Sequence, residues 1–287
     1  MNIKQPSSHK NPEPESSVLY IVGTPIGNLS DLSSRAINIL KNVSLIACED
    51  TRQTKKIMNK FEFTNNLTSF NKHNSLNKIP RIINDLNSGK SVALVSDAGM
   101  PSICDPGEDL VKDVRGNGLN IICIPGPCAA LTALVSSGLP SSKFIFEGFL
   151  PKKKSQREKI LFEISENEKT TIIYESPHRL KKLLNELKVY CGGEREIQVS
   201  RELTKKFEEH IGNDINNVIK NFQEKEVIGE ITIVIKGVNK ESNSVINKSD
   251  LKKELNELIK AGLSLSAASK YLAKKNEIKK SEIYNLN

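Results

Sequence analysis

The first residues that could do chemistry form a glycine-containing loop after an apolar strand. The segment LYIVGTPIGNLSDL begins at Leu19, so a predicted strand at 19–22 leads into Gly23 and then Gly27. Loops of this kind offer backbone N–H groups to phosphate. No Lys-Ser/Thr pair follows Gly27, however, and the third glycine of a dinucleotide fingerprint is absent. A phosphate cradle is therefore not predicted, and a tight turn without a ligand remains the alternative.

Two further strand ends combine glycine, proline and small or acidic residues. The segment VSDAGMPSICDPG begins at the end of a predicted strand at 92–96. The segment IPGPCAALTAL begins at the end of a predicted strand at 119–124. Small residues at a helix start let the backbone approach a ligand closely. Ligands of open parallel sheets bind at the carboxyl ends of the strands. Together the three ends predict a pocket for a small, flat, hydrogen-bonding ligand such as an adenosyl group, although each alone also suits a simple turn.

A framework of alternating strands and helices must position these loops. The first predicted elements are strands at 19–22, 45–48, 92–96 and 119–124, with helices at 32–41, 78–88 and 107–116. Continuous apolar strands between amphipathic helices predict a parallel sheet covered on both faces. The next are helices at 129–137, 155–166, 178–189 and 214–222, with strands at 144–148, 171–174, 195–200, 205–211 and 227–236. The last two strands alternate more, which predicts a second, mixed sheet.

The predicted organisation is α/β, with two α/β domains and a small helical tail. The boundaries are a disordered leader at 1–16, domains at 17–126 and 127–238, and a helical domain at 249–287. Three short helices with a basic surface suit a helix-turn-helix unit or a packed helical cap equally well.

Composition limits the class of protein. The 287 residues include no apolar run near the length of a membrane span and no signal peptide, which predicts a cytoplasmic protein without a membrane partner. Five cysteines without a C-x-x-C pair, and four scattered histidines, predict reduced thiols and no metal site.

Positive charge is concentrated in two places. The formal net charge is +8, PKKKSQR at 151–157 carries four cations and no acid, and residues 238–287 hold ten lysines against six acids. Phosphate backbones are the usual target of such clusters, with a merely solvated surface as the alternative.

An ordered set of motifs adds a family resemblance. The segments are VGTPIGNLSDLSSRA, CEDTR, FNKHN, ALVSDAGMPSICDPG, IPGPCAALTALVSSGLP, FEGFLPKKKSQR and YESPHRL. In order and spacing, across about residues 18–237, they resemble the tetrapyrrole-methylase-like superfamily. Within it they are similar to the branch that methylates the ribose 2′-hydroxyl of a cytidine in the decoding region of 16S rRNA.

The resemblance implies two α/β domains of the tetrapyrrole-methylase type, with a cleft between them that binds S-adenosylmethionine. It also implies a homodimer whose partner is 16S rRNA in the small ribosomal subunit. The cofactor contacts it implies are Pro25, Ile26, Asp97, Ala98, Gly99, Ser102, Cys128 and Ala129, with further contacts near Glu175, Arg201 and Glu230. Relatives acting on tetrapyrroles carry G-x-G-P-G-D and G-G-D-P, whereas this chain reads G-T-P-I-G-N and S-D-A-G-M-P. That departure favours the RNA branch and makes the placement of the contacts approximate.

Methylation of a hydroxyl requires alignment of oxygen, methyl and sulfur, and is assisted by a general base. The candidate catalytic residues are Glu49, Asp50, Arg52 and Glu175, while Asp105 reads as a helix cap. The candidate RNA-binding residues are Lys152, Lys153, Lys154, Arg157, His178 and Arg179. An Asp–Arg pair that fixes the strand end and a histidine that merely starts a helix are the structural alternatives. A small-molecule methyltransferase and a non-catalytic RNA-binding protein are the rival functions.

Overall fold

The computed structural model describes residues 12–239, 248–260, 262–275 and 279–286. The chain divides into two compact units, Met1–Gly237 and Val238–Asn287. Residues 1–11 of the predicted leader lie outside the described residues. Within its last five residues, Glu13 pairs with Arg35 at 2.6 Å, and the Glu15 N–H donates to the Tyr20 hydroxyl at 2.7 Å. Among the described residues, no helix combines the length and apolar character needed to span a membrane.

The first sheet contains five parallel strands in the order β3-β2-β4-β1-β5. The strands are β1 (Val18–Val22), β2 (Leu45–Cys48), β3 (Leu67–Ser69), β4 (Val92–Val95) and β5 (Asn120–Ile124). The helices that accompany them are α1 (Ser34–Asn42), α2 (Thr51–Lys60), α3 (Ser75–Asn87), α4 (Glu108–Gly116) and α5 (Ala129–Ser137). The predicted parallel sheet is confirmed.

Helices cover both faces of this sheet, which explains why its strands are continuously apolar. Tyr20 of β1 packs in one cluster with Ile39 of α1, whereas the adjacent Leu19 packs on the other face with Ile82 of α3. Full burial of such side chains stabilises the fold by about 1.5–3 kcal/mol each. The tight packing brings the carboxyl ends of β1, β2, β4 and β5 to one edge.

The second sheet is mixed, as predicted, with the order β6-β7-β10-β8-β9. Its strands are β6 (Phe144–Phe149), β7 (Thr170–Glu175), β8 (Glu196–Arg201), β9 (Glu209–Asp214) and β10 (Ile231–Ile235). Its helices are α6 (Lys154–Glu166), α7 (Pro177–Cys191) and α8 (Ile215–Phe222). Strands β6 and β7 are parallel, and β10 is antiparallel to β7 and β8. Helix α5 packs on one face through Ala133 and Leu134, while α6–α8 cover the other.

The described residues of the C-terminal unit form three helices: α9 (Lys248–Lys260), α10 (Leu265–Lys275) and α11 (Lys280–Tyr284). Leu255, Leu272 and Ile283, one from each helix, are fully buried in its small core. The helical character of this unit was predicted, and its helix-turn-helix nature stays a prediction.

Neither α2 nor β3 was predicted from the sequence. Helix α2 buries only Thr54, Ile57 and Met58, too few apolar residues to indicate a helix by periodicity. Strand β3 is three residues long. Helix α2 matters for function because it begins directly after the CEDTR strand end and decides where that motif's side chains point.

Candidate active site

A cavity of about 400 Å³ opens between the carboxyl edge of the first sheet and the second sheet. This volume is within the range of sites that hold small-molecule ligands. Its lining comes from both sheets and consists of Ile26, Glu49, Asp97, Ala98, Gly99, Met100, Ile103, Cys104, Asp105, Cys128, Ala129, Phe149, Tyr174, Glu175, Ser176, Pro177, Leu203, Gly229, Glu230, Ile231 and Thr232.

The glycine-containing loop after β1 contacts mainly protein. Thr24 and Gly99 exchange backbone hydrogen bonds of 2.9 and 3.1 Å, which join the ends of β1 and β4. A Cβ atom on Gly23 would come within 2.6 Å of Gly126 Cα, so glycine is required where the ends of β1 and β5 meet. Farther along the loop, the Asn28 N–H donates to Thr204 Oγ1 at 3.2 Å. The loop therefore connects the strand ends to the second sheet rather than cradling phosphate.

Of that loop, Ile26 lines the cavity, and its cofactor contact stays a prediction. Pro25 is buried and does not line it, so the cavity gives no support to its predicted cofactor contact. Ser102 does not line it either, because its hydroxyl is enclosed beside Gly107, where a Cβ would come within 2.3 Å of Ser102 Oγ.

Three carboxyl groups lie together at the strand ends. Glu49 follows β2 and accepts a hydrogen bond from the Asp97 backbone, while the Asp50 N–H donates to Asp97 Oδ1 at 2.9 Å. Asp105 accepts from the Ser96 hydroxyl. Burial raises the pKa of the Glu49, Asp97 and Asp105 carboxyls. The charges of Asp105 and Asp97 raise the pKa of Glu49 further. Raised pKa values in a cleft are typical of functional groups.

Asp50 and Arg52 do not line the cavity. The Asp50 carboxylate caps α2 by accepting from the Arg52 N–H at 2.8 Å, and it pairs with the Arg52 guanidinium at 2.6 Å. The guanidinium lowers the pKa of Asp50. Asp50 and Arg52 thus form the Asp–Arg pair that fixes the strand end, which was the structural alternative for this motif. The geometry does not support a catalytic role for either residue.

Glu175 lines the cavity from the end of β7 but is fully enclosed. Its carboxylate lies 3.2 Å from Arg179 Nε and 3.5 Å from Arg157 Nη2, and it accepts from the Ser176 N–H at 2.8 Å. Arg157 also pairs with Glu186 at 2.7 Å. The carboxylate is thus engaged by two guanidinium groups and a backbone N–H inside the protein. Its predicted catalytic role is not supported by this geometry.

Some of the predicted RNA-binding residues are exposed, and others form ion pairs within the protein. Lys152, Lys153, Lys154 and His178 are exposed. The prediction for Arg157 is wrong, because its side chain is 6% exposed and its charge is used inside the protein. Arg179 is similarly engaged, since its guanidinium also donates to the Leu150 carbonyl at 2.8 Å.

Several lining residues were not predicted, among them Met100, Ile103, Cys104, Phe149 and Tyr174. The Tyr174 hydroxyl accepts from the Ala130 N–H at 3.0 Å and thereby occupies one backbone donor at the start of α5. Two of them carried a signal in the sequence: Tyr174 precedes Glu175 at a strand end, and Ile103 lies in the irregular segment after β4. Of the contacts in the second sheet, Glu230 lines the cavity and Arg201 does not.

The charge of the lining favours a cationic ligand. Five carboxylate residues line the cavity, and no lysine, arginine or histidine is among the described lining residues. Two of these carboxylates have cationic partners behind the wall: Glu175 pairs with two arginines, and Glu230 pairs with Lys205 at 3.1 Å. The other three, Glu49, Asp97 and Asp105, favour a ligand with ammonium and sulfonium groups over a phosphate group. Apolar neighbours such as Ile26 and Leu203 suit a flat aromatic ring.

Comparisons with known proteins agree with this chemistry. The family model described as Tetrapyrrole (Corrin/Porphyrin) Methylases matches residues 18–218. Ribosomal RNA small subunit methyltransferase I of Synechocystis sp. is 40% identical over 269 residues, covering 94% of this chain and 96% of that protein. The protein of that name from Bacillus subtilis is 41% identical over 282 residues, covering 96% of this chain and 95% of that protein.

A solved structure shows the same fold. Uroporphyrin-III C-methyl transferase from Thermus thermophilus, complexed with S-adenyl homocysteine, superposes with a TM-score of 0.53 at 14% identity, covering 75% of this chain and 96% of that chain. The chain therefore belongs to the tetrapyrrole methylase family, in the group of proteins named ribosomal RNA small subunit methyltransferase I.

Proposed function

We propose that the protein methylates the ribose 2′-hydroxyl of a cytidine in the decoding region of 16S rRNA. The observation that carries the proposal is the acidic cavity, with no cation among its described lining residues, beside the exposed lysines at 152–154. A cationic methyl donor suits the cavity, and an RNA backbone suits the lysines. The names of the relatives supply the substrate class, small-subunit ribosomal RNA.

The lining residues fit the cofactor. Backbone groups of Ala98, Gly99 and Ala129 would hold its adenosyl part, because small residues there leave the backbone accessible. Asp97 and Glu230 would face its positive groups. S-adenosylmethionine supplies a methyl group on a sulfonium sulfur, which leaves as a neutral thioether.

Glu49 is the proposed general base. It lines the cavity, and its raised pKa makes the carboxylate a better proton acceptor than an ordinary glutamate. It takes the proton of the 2′-hydroxyl as the oxygen forms its bond to the methyl carbon. Glu175, held by Arg157 and Arg179, fixes the end of β7 on the opposite wall.

The experiment that tests the function is transfer of labelled methyl from S-adenosylmethionine to small ribosomal subunits and to naked 16S rRNA, followed by nuclease mapping. Label in an alkali-resistant dinucleotide that contains cytidine is expected, because 2′-O-methylation blocks alkaline cleavage. Cofactor binding without label in either RNA substrate would contradict the proposal and favour a small-molecule acceptor.

Lys152, Lys153 and Lys154 are proposed to contact the RNA backbone. Their joint replacement by alanine should lower the magnitude of the slope of log K against log salt concentration by about 2, because each contact with single-stranded RNA contributes about 0.7. Filter binding of 16S rRNA at several salt concentrations measures this. Joint replacement of Lys41, Lys112 and Lys188, which are exposed on α1, α4 and α7, is the matched control and should leave the slope nearly unchanged. Equal slopes for all three proteins would contradict the assignment.

We also propose a homodimer formed through α5. Leu131 and Val135 lie one turn apart on this helix and are both exposed, although the opposite side is buried against the second sheet. Val135→Glu should weaken self-association at least 100-fold, because it would place an unpaired charge in an apolar interface. Sedimentation velocity measures this, with Val189→Glu on α7 as the exposed control. A wild-type protein that sediments as a monomer at micromolar concentration would refute the dimer.

A further inference from the structure

Two large apolar side chains stand exposed in the cavity wall, one from each side. Phe149 at the end of β6 is 56% exposed, and Ile103 in the segment after β4 is 43% exposed. Other large aliphatic residues of the lining, Ile26, Leu203 and Ile231, are each less than 10% exposed. An exposed aromatic ring in a cavity wall offers a face to a flat ligand.

A β-bulge turns Phe149 toward the cavity. The pairing of β6 with β7 shifts register between Phe146 and Gly148, and Gly148 adopts a φ of +63°. Residues three apart on a regular strand lie on opposite faces, yet Phe146 and Phe149 both contact the Tyr174 ring, with centroids 4.9 and 5.6 Å away. Bulges near active sites commonly redirect a side chain in this way. Tyr174 supports one edge of Phe149 and leaves much of the ring uncovered.

The segment that carries Ile103 is fixed directly against Phe149. The Phe149 backbone donates a hydrogen bond to the Cys104 thiol, and a Cβ on Gly148 would come within 2.8 Å of Cys104 Sγ. Ser102 and Cys104 have positive φ values of 70° and 65°. Non-glycine residues in that region are strained and cluster at functional sites. The strained segment thus holds Ile103 in the cavity lining close to Phe149.

The charges around Phe149 and Ile103 favour different positions for the base and the phosphates of a nucleotide. The cavity contains carboxylates and, among its described lining residues, no cation, so a phosphate is repelled from it. Lys152, Lys153 and Lys154 begin three residues after Phe149, which limits the backbone distance from Phe149 to about 11 Å for Lys152 and about 18 Å for Lys154. A nucleotide with its phosphates on the lysines would therefore meet Phe149 with its base.

We propose that Phe149 and Ile103 form a slot that stacks the pyrimidine base of the target nucleotide, unstacked from its RNA neighbours, and so delivers its ribose to Glu49. The inference rests on the proposed function and specifies how the same site takes its substrate. Single-stranded RNA is commonly recognised by stacking bases on aromatic side chains, and enzymes acting on nucleotides take them out of the stack. The slot accounts for the exposure, the bulge and the strain at one place.

Phe149→Ala tests the slot. Its KM for RNA should rise about 5- to 150-fold, the effect of losing one base–aromatic stack, while the affinity for S-adenosylhomocysteine measured by calorimetry stays unchanged. Phe149→Tyr should restore most of the RNA affinity. Phe162→Ala, which removes an equally exposed phenylalanine from α6, is the matched control and should leave KM unchanged. A normal KM in Phe149→Ala would overturn the proposal.

Two further measurements separate stacking from a merely structural effect. RNA with an abasic target ribose should bind wild-type protein more weakly than intact RNA, whereas Phe149→Ala should bind both equally. The chain has no tryptophan, so Phe149→Trp introduces a single indole whose fluorescence should change on addition of intact RNA and much less with abasic RNA. Equal discrimination by wild type and Phe149→Ala would refute the slot while leaving the proposed reaction intact. Absence of RNA methylation by the wild type would refute both.

Discussion

Arg157→Met is expected to destabilise the protein by about 3 kcal/mol. Removing one member of a buried ion pair leaves its partner charged and enclosed, which typically costs 3–5 kcal/mol. The Arg157 side chain is 6% exposed, and its partner Glu175 has no exposed side-chain surface. The lower end of the range applies because Arg179 still pairs with Glu175 at 3.2 Å. Methionine retains most of the apolar contacts of the arginine stem.

Calorimetry measures this effect as a fall in the melting temperature of the main transition by about 6–12 °C, since 1 kcal/mol corresponds to about 2–4 °C for a unit of this size. Lys159→Met is the matched control. Lys159 lies on the same helix and pairs with Glu163 at 3.8 Å on the surface, where such pairs contribute about 0.3–0.5 kcal/mol. Equal melting temperatures for the two variants would show that the Arg157 network does not stabilise the fold.

The same network shows what the sequence could and could not reveal. The segment PKKKSQR contains four cationic residues, and composition alone does not show which of them are exposed and which are buried. Helix α6 separates them, because it begins at Lys154 and buries Arg157 with Leu161 and Ile164 at helical spacing. The i, i+4, i+7 pattern was present in the sequence and would have assigned Arg157 to the buried face. Its acidic partners come from β7 and α7, and no local pattern identifies them.

The alternation of strands and helices was readable because burial on both sheet faces imposes continuous apolar strands, as in β1 and β4. Side-chain direction at strand ends was not readable. Glu49 and Asp50 are adjacent, yet Glu49 lines the cavity and Asp50 caps α2, a helix with little apolar periodicity. Likewise, the bulge at Gly148 that turns Phe149 depends on pairing with β7.

Because the structure separates Glu49 from Asp50, their roles can be distinguished by matched variants. Asp50→Asn retains the ability to cap α2 and should change kcat by less than about threefold. Glu49→Gln preserves the size of the side chain and its acceptor for the Asp97 N–H, so the fold and cofactor binding should persist. It removes the proton acceptor.

Glu49→Gln is accordingly expected to lower kcat about 10²- to 10⁴-fold, the usual contribution of a general base. In the wild type, burial and the charges of Asp105 and Asp97 raise the pKa of Glu49. On acidification, activity should therefore begin to fall at a pH above the pKa of an ordinary glutamate. The residual activity of Glu49→Gln should lack this fall. Single-turnover methyl transfer to 16S rRNA as a function of pH measures both effects. If Asp105→Asn instead removed the acid dependence and Glu49→Gln kept it, the proton would go to Asp105, whose pKa is raised by the same burial.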